Sequence, residues 1–258
     1  MFLRIKMGKK KRDDYLTTHR LSPIDFLPER TYVMESGVKA IPRRNTRDFQ
    51  MLFILREHEV KRHLVMRENE TFVDVGANVG SYSLMVSKEY KDRAVKVIAI
   101  EAHPGNYKAL LRNIRCNNFE TVILPINKVV SNYEGLVDLY ERSHDGTRVD
   151  SELYSVCNDQ RIDGYNVIHA GGKSLEIECD TLDNILLDYR ADVIKMDIEG
   201  AEVLALKAAA KTLERTRKIV VEIHGDRSEG VKQVLKSHGF KIEGFNERGQ
   251  VAYIIGSK

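Results

Sequence analysis

Several polar side chains stand where apolar runs stop. Asp74 lies near the end of Phe72–Val75, and Glu101 closes Val95–Ile100. Asp197 follows Asp192–Met196, with Glu199 two residues on, and His224 closes Lys218–Ile223. Parallel strands would carry all of these to one sheet edge, where open α/β sheets bind their ligands. Carboxylates there can accept protons from hydroxyl or ammonium groups, and an imidazole titrates in the range needed of a base near neutrality. Between Asp74 and the next amphipathic run lies Gly76-Ala77-Asn78-Val79-Gly80. A strand that breaks at glycine and feeds a helix puts backbone N–H groups and a carboxylate into one crevice. The chemistry on offer is a nucleotide-like ligand beside a proton acceptor.

The elements that must position these groups follow from the apolar periodicity. The chain has 258 residues, 42% hydrophobic, with a net charge of +3. That suits one large domain, or a domain with a modest extension, and gives no argument for nucleic acid from charge alone. Cys116, Cys157 and Cys179 are far apart and form no CxxC pair, which speaks against a zinc site or a disulfide framework and for a reducing, cytoplasmic setting. No apolar run reaches the length of a signal peptide core or a membrane span. Residues 1–30 read as a basic tail and lead-in, and 31–258 as a single domain. The Lys9–Arg12 run offers a contact to phosphates, though a solvated tail is the preferred reading.

Within 31–258, residues 31–42 suggest a short hairpin. Phe49, Leu52, Phe53 and Val60 mark a helical extension that packs on the sheet. Strands are expected at 71–75, 95–100, 121–126, 192–196 and 218–223. Helices are expected at 79–90, from Pro104, after Gly200 (burying Val203, Leu206, Ala210 and Leu213), and around Val231–His238. Residues 129–140 read as a hairpin turning at Glu134-Gly135. Residues 142–172 read as a polar, glycine-containing insertion. Phe240–Phe245 and Gln250–Ile255, joined at Glu247-Arg248-Gly249, are too close for a crossover, so the last strand must run antiparallel.

This ending separates two ligand classes. A dinucleotide fold uses Gly-x-Gly-x-x-Gly so that backbone can approach the pyrophosphate. Here the spacing is Gly76-x-x-x-Gly80, with no glycine at the pyrophosphate position. S-adenosylmethionine (SAM) has no phosphate but has an amino acid head, for which Asp74 suits the ammonium, and a ribose, whose hydroxyls Glu101 can accept. Together with the closing hairpin these favour SAM. The bland alternative for Asp74 is that it caps the following turn.

The stretches Phe72–Leu84, Ile100-Glu-Ala-His-Pro104 with Asn113-Ile114, Asp180-Thr-Leu-Asp183, Lys195-Met-Asp-Ile-Glu-Gly-Ala-Glu202 and Val221-Glu-Ile-His224 resemble the FkbM methyltransferases. Arg44-Asn-Thr-Arg-Asp48 is similar to a motif that precedes the family's first strand. The resemblance covers about residues 38–256. It implies a class I methyltransferase (Rossmann-like) α/β fold, with a mostly parallel seven-stranded sheet and an antiparallel C-terminal strand. It also implies SAM as cofactor and, commonly, O-methylation of a small molecule, sugar or glycan, or lipid. Asp74, Gly76, Ala77, Asn78 and Gly80 would line the methionine end, Glu101 would hold the ribose, and Ala102 and Asn127 would lie near the adenine.

A hydroxyl acceptor must lose its proton, and the candidate catalytic residues are Asp197, Glu199 and His224, with Glu202 and Glu222 nearby. Glu199 and Glu202 also suit a helix start, where acids complement the dipole. His224 equally suits a backbone-bonded turn, and Glu222 an ion pair. A divalent metal on Asp197, Glu199 and a further acid is compatible with such chemistry, but no spacing demands it. Acceptor contacts are expected from Arg148, Tyr154, Arg161, Tyr165 and His169, and from Arg43–Asp48. The competing readings are an RNA or protein methyltransferase, motivated by Lys9–Arg12, and a nucleotide-binding module without this chemistry.

Overall fold

The computed structural model describes residues 27–34, 36–54, 58–143, 154–155, 168–223, 227–245 and 252–258. A short antiparallel pair, β1 (Tyr32–Val33) and β2 (Lys39–Ala40), leads in. A π-helical turn (Gln50–Ile54) and helix α1 (His58–His63) occupy the expected helical extension, with Leu52 and Val60 in the core beneath the sheet. Then come β3 (Thr71–Val75), α2 (Ser81–Glu89), β4 (Lys96–Ile100), α3 (Pro104–Cys116) and β5 (Ile123–Ile126). Pro104 opens α3 where its missing N–H costs nothing, and the His103 side chain accepts from Asn106 N.

A second, four-stranded sheet follows, made of β6 (Val129–Ser131), β7 (Gly135–Ser143), β8 (Tyr154–Ser155) and β9 (Ile168–Thr181). The expected hairpin over 129–140 does not form. Val129–Ser131 pairs in parallel with Cys179–Thr181, while β7 pairs antiparallel on the other edge of β9. Alternation fixes which face a residue takes, not which strand it pairs with. Strand β9 also starts at Ile168, well inside the stretch read as polar insertion, because backbone pairing with β7 sustains it there without an apolar pattern.

The chain continues through α4 (Leu182–Ile185), β10 (Val193–Met196), α5 (Glu202–Lys207), α6 (Ala210–Arg215), β11 (Lys218–Ile223), α7 (Ser228–Ser237), β12 (Lys241–Phe245) and β13 (Ala252–Ser257). The single helix expected after Gly200 is broken at Ala208-Ala209, so Ala209 is buried and Ala210 is exposed. The main sheet has the order β12-β13-β11-β10-β3-β4-β5. All neighbours from β11 to β5 are parallel, and β13 inserts antiparallel between β11 and β12. This is the class I methyltransferase arrangement.

Strand alternation splits the core. Phe72, Val97, Ala99, Val193 and Val220 face α1, α2 and α3. Val73, Val75, Ile98, Ile194, Met196 and Val221 face the layer from α4 to α7. Asp74 and Lys195, which are register partners, fall by the same alternation on the first face, as a polar pair set in an apolar layer. Among the described residues no helix is long and apolar enough to cross a membrane.

Candidate cofactor and catalytic site

The turn after β3 is held by its neighbours. Gly76 has φ +79°, and a Cβ there would stand 1.8 Å from the Asp197 carbonyl oxygen, so only glycine lets β3 and β10 close at this point. Gly76 N and Ala77 N both donate to Ile100 O at 2.9 Å, and Gly80 N donates to Ala77 O at 2.8 Å. Asn78 is left-handed at φ +50°, a conformation asparagine tolerates, and its N–H donates to Glu101 Oε2 at 2.8 Å. These four N–H groups are therefore spent on the end of β4 and on the turn itself. A pyrophosphate cradle would need them free.

Glu101 is the best-framed acid of the site. It is 6% exposed at the end of β4. Oε1 accepts from His103 N at 2.9 Å and from Asn106 Nδ2 at 3.4 Å. Burial pushes its carboxyl up to about 7, against the pull of those N–H donors, and the charge of Asp74 adds to the rise. Hydroxyls donated to this group would favour its ionised form. The residues at this edge thus suit a ligand that carries hydroxyls and no phosphate, as the SAM ribose does. Asn127 Nδ2 donates to the carbonyls of Glu101 and Ala102, at 2.8 and 2.9 Å, and so holds that backbone in place.

Asp74 is fully buried. Its Oδ2 accepts from Ser83 N at 3.0 Å and Ser83 Oγ at 2.6 Å, so it does tie down the first turn of α2. Its Oδ1 has no hydrogen-bond partner. Burial raises the Asp74 carboxyl, and the Lys195 ammonium opposes that rise.

Lys195 was not among the expected site residues. The signal for it was a lone cation inside Val193–Met196. It is 3% exposed, bonds Asp197 Oδ2 at 2.9 Å, and lies over the Tyr82 ring at 4.9 Å.

Asp197 therefore arrives at the sheet edge already engaged by an ammonium. Glu199, partly exposed, has φ +51°, and Gly200 beside it has φ +102°. The left-handed region costs a non-glycine residue about 1 kcal/mol, and such strain clusters at functional sites. Glu202 is buried and accepts from Gly200 N at 2.9 Å, the structural role open to an acid at a helix start. The Arg227 guanidinium lies against Gly200, 3.2 Å from where a Cβ would be.

The structure thus brings Gly76, Ala77, Asn78, Glu101, Asp197 and Asn127 to one edge and sets Asp74 inside the fold. His224, Lys9–Arg12, Arg148, Arg161 and Tyr165 lie outside the described residues, while Tyr154 and His169 are positions on β8 and β9. No group of three His, Cys, Asp or Glu suited to a metal occurs among the described residues.

The family described as the methyltransferase FkbM domain matches residues 74–242. Methyltransferase sdnD of Sordaria araneosa is 29% identical over 196 residues, spanning 67% of this chain and 74% of that protein. The crystal structure of Methyltransferase FkbM from Methylobacillus flagellatus KT superposes with a TM-score of 0.52 at 19% identity, covering 81% of this chain and 47% of that one. The chain is thus similar in fold to about half the length of that protein. Precorrin-6y C5,15-methyltransferase from Geobacter metallireducens GS-15 superposes with a TM-score of 0.49 at 12% identity, over 80% of this chain and 92% of that one.

Proposed function

The chain belongs to the FkbM methyltransferase family, SAM-dependent enzymes, and on that footing we propose that it methylates a hydroxyl on a small molecule, a sugar or glycan, or a lipid. The observation that carries the cofactor half is the pairing of a turn whose N–H groups are spent with Glu101 at the next strand end, an acid whose carboxyl burial pushes up to about 7. SAM, when bound, supplies the methyl group on a sulfonium. Glu101 accepts the ribose hydroxyls, and Gly76, Ala77, Asn78 and Gly80 form the wall of the methionine side. Asn127 holds the Glu101–Ala102 backbone beside the adenine. Asp74 acts from inside, by fixing α2 through Ser83. Cys116 and Cys179 are free thiols, in keeping with the cytoplasmic location we assign.

Methyl transfer is an in-line displacement, so alignment supplies much of the rate, and a base must take the hydroxyl proton. Asp197 is held by Lys195, which suits it to orienting the acceptor. Glu199, on its strained turn next to glycine, is the assigned base, and His224 is the second candidate. Calorimetric titration with SAM and tritiated-methyl transfer into fractionated host extract test this reading. Wild type should bind SAM, Glu101→Ala should weaken binding at least about tenfold, corresponding to loss of a charge-assisted pair of hydrogen bonds, and Glu199→Gln should bind SAM normally but transfer poorly. Label entering only RNA or protein would overturn the acceptor class, and tight NADP binding without SAM binding would overturn the cofactor.

A further inference from the structure

The segment between β2 and the π-helical turn reaches the cofactor edge by an unbroken chain of hydrogen bonds. Asp48, 2% exposed, accepts from Arg43 three times: at Oδ2 from the backbone N (2.9 Å) and Nε (2.7 Å), and at Oδ1 from Nη2 (2.8 Å). The Thr46 hydroxyl closes the loop, donating to Arg43 O at 2.9 Å and accepting from Asp48 N at 3.2 Å. The guanidinium so fixed gives a further N–H from Nη2 to Asn106 Oδ1, at 2.8 Å. Asn106 is 2% exposed on the first turn of α3 and gives its Nδ2 to Glu101 Oε1 at 3.4 Å.

Chemistry sets the direction of this relay. Guanidinium can only donate, so Asn106 must turn its carbonyl oxygen toward Arg43 and its NH2 toward the carboxylate. Without Arg43, the amide could present either end to Glu101. Arg43 also lies against the turn that carries His103, 3.5 Å from where a Cβ on Gly105 would stand, and His103 N is the other donor to Glu101 Oε1.

We propose that the Arg43–Asp48 pair is a positioning element of the cofactor site, which acts through Asn106 to hold the Glu101 carboxylate ready for a ligand's vicinal hydroxyls. It serves the methyl donor and not the acceptor that the sequence suggests for Arg43–Asp48. The proposal rests on the reading of Glu101 as the ribose acid.

The groups facing Glu101 are Asp74 on β3, the Asn78 N–H of the turn, His103 and Asn106 from the start of α3, and Arg43 behind Asn106. Of these, the Asn106 donor is the one that Arg43 hydrogen-bonds directly. The carboxyl 13C shift of Glu101 in ligand-free protein, assigned by its absence in Glu101→Gln, reads this directly.

In Arg43→Gln and in Asn106→Leu, which removes the donor without adding charge, the titration midpoint of Glu101 should rise by roughly half to one pH unit, whereas Arg43→Lys, still only a donor, should keep it near wild type. SAM affinity in the two shifted variants should fall up to about tenfold near pH 6 and recover near pH 9, since one unit of midpoint is a factor of ten. Asn106→Leu keeps the side-chain size should Arg43→Gln fold poorly. An unchanged Glu101 midpoint in both, or a SAM affinity lowered equally at every pH, would overturn the proposal and leave a purely structural pair. Failure of wild type to bind SAM at any pH would instead strike the ribose reading, with the NMR midpoints still open to measurement.

Discussion

Glu101 and His103 are two residues apart and are displaced in opposite senses by burial. Glu101 is pushed up to about 7 from 4.5, and His103 is pushed down to about 4 from 6.5, with Arg43 adding to the second shift. Between about pH 4.5 and 6.5 the folded chain holds a Glu101 proton that the unfolded chain has lost, so this group subtracts stability as pH rises. Over nearly the same window the unfolded chain holds a His103 proton that the folded chain lacks, so that group adds stability as pH rises. The two contributions offset. Ligand-free wild type should therefore show a nearly flat urea midpoint from pH 5 to 6.5. His103→Gln, which can still accept from Asn106 N, should lose stability across that range at a slope of up to about 1.4 kcal/mol per pH unit, the value for one proton. A His103→Gln profile as flat as wild type would mean that Glu101 is ionised in the free protein.

At the scale of elements, the two glycines that bound the turn after β3 are under different constraints. At Gly76 a Cβ meets backbone, the Asp197 carbonyl at 1.8 Å, while at Gly80 (φ +96°) it meets side chains, nearest the Leu110 Cδ1 methyl at 2.7 Å. A side-chain end can rotate away; the end of β10 cannot. Gly76→Ala should cost about 3 kcal/mol or more in urea unfolding and abolish SAM binding, whereas Gly80→Ala should cost about 1–2 kcal/mol and leave weakened binding. Equal losses would show that β10 yields as easily as a leucine side chain. The strands at 71–75 and 218–223 and the acids Glu101 and Asp197 were legible because buried parallel strands are apolar runs with sharp polar stops. The pairing of β6 with β9 was not legible, since alternation names a face and no partner. Nor was the break at Ala208-Ala209, which lies in a run of good helix formers. The Arg43–Asp48–Asn106 relay joins residues about sixty positions apart, and no local pattern announces such a contact.

For the molecule as a whole, the two edges of the main sheet do different work. The carboxyl ends of β3, β4 and β10 carry the site, while the opposite edge ties the strands together. There Arg217, just before β11, grips Glu70, just before β3, through two bonds of 2.6 Å, and gives a third to Val65 O at 2.6 Å. Thr71 N donates to Asp192 Oδ2 at 2.8 Å, and Lys258 N, just past β13, donates to Arg217 O at 2.9 Å. One arginine thus links the starts of β3 and β11 to the end of the inserted antiparallel strand. The guanidinium holds the Glu70 carboxyl below its usual 4.5 although burial opposes this, so the pair's stabilisation is fully present above that value and is lost as acid protonates Glu70. The Arg217 side chain is 22% exposed and that of Glu70 6%, which places the pair between surface bridges worth under 1 kcal/mol and buried ones that cost 3–5 kcal/mol to break. Arg217→Met, which keeps the aliphatic stem, should therefore lower unfolding free energy by about 2 kcal/mol at neutral pH, with the deficit shrinking as acid protonates Glu70. Because this edge lies a strand length from Glu101, SAM affinity measured by calorimetry on the folded variant should stay within about twofold of wild type. A SAM affinity that falls along with stability would show that the two edges are coupled through the β3–β10–β11 strands.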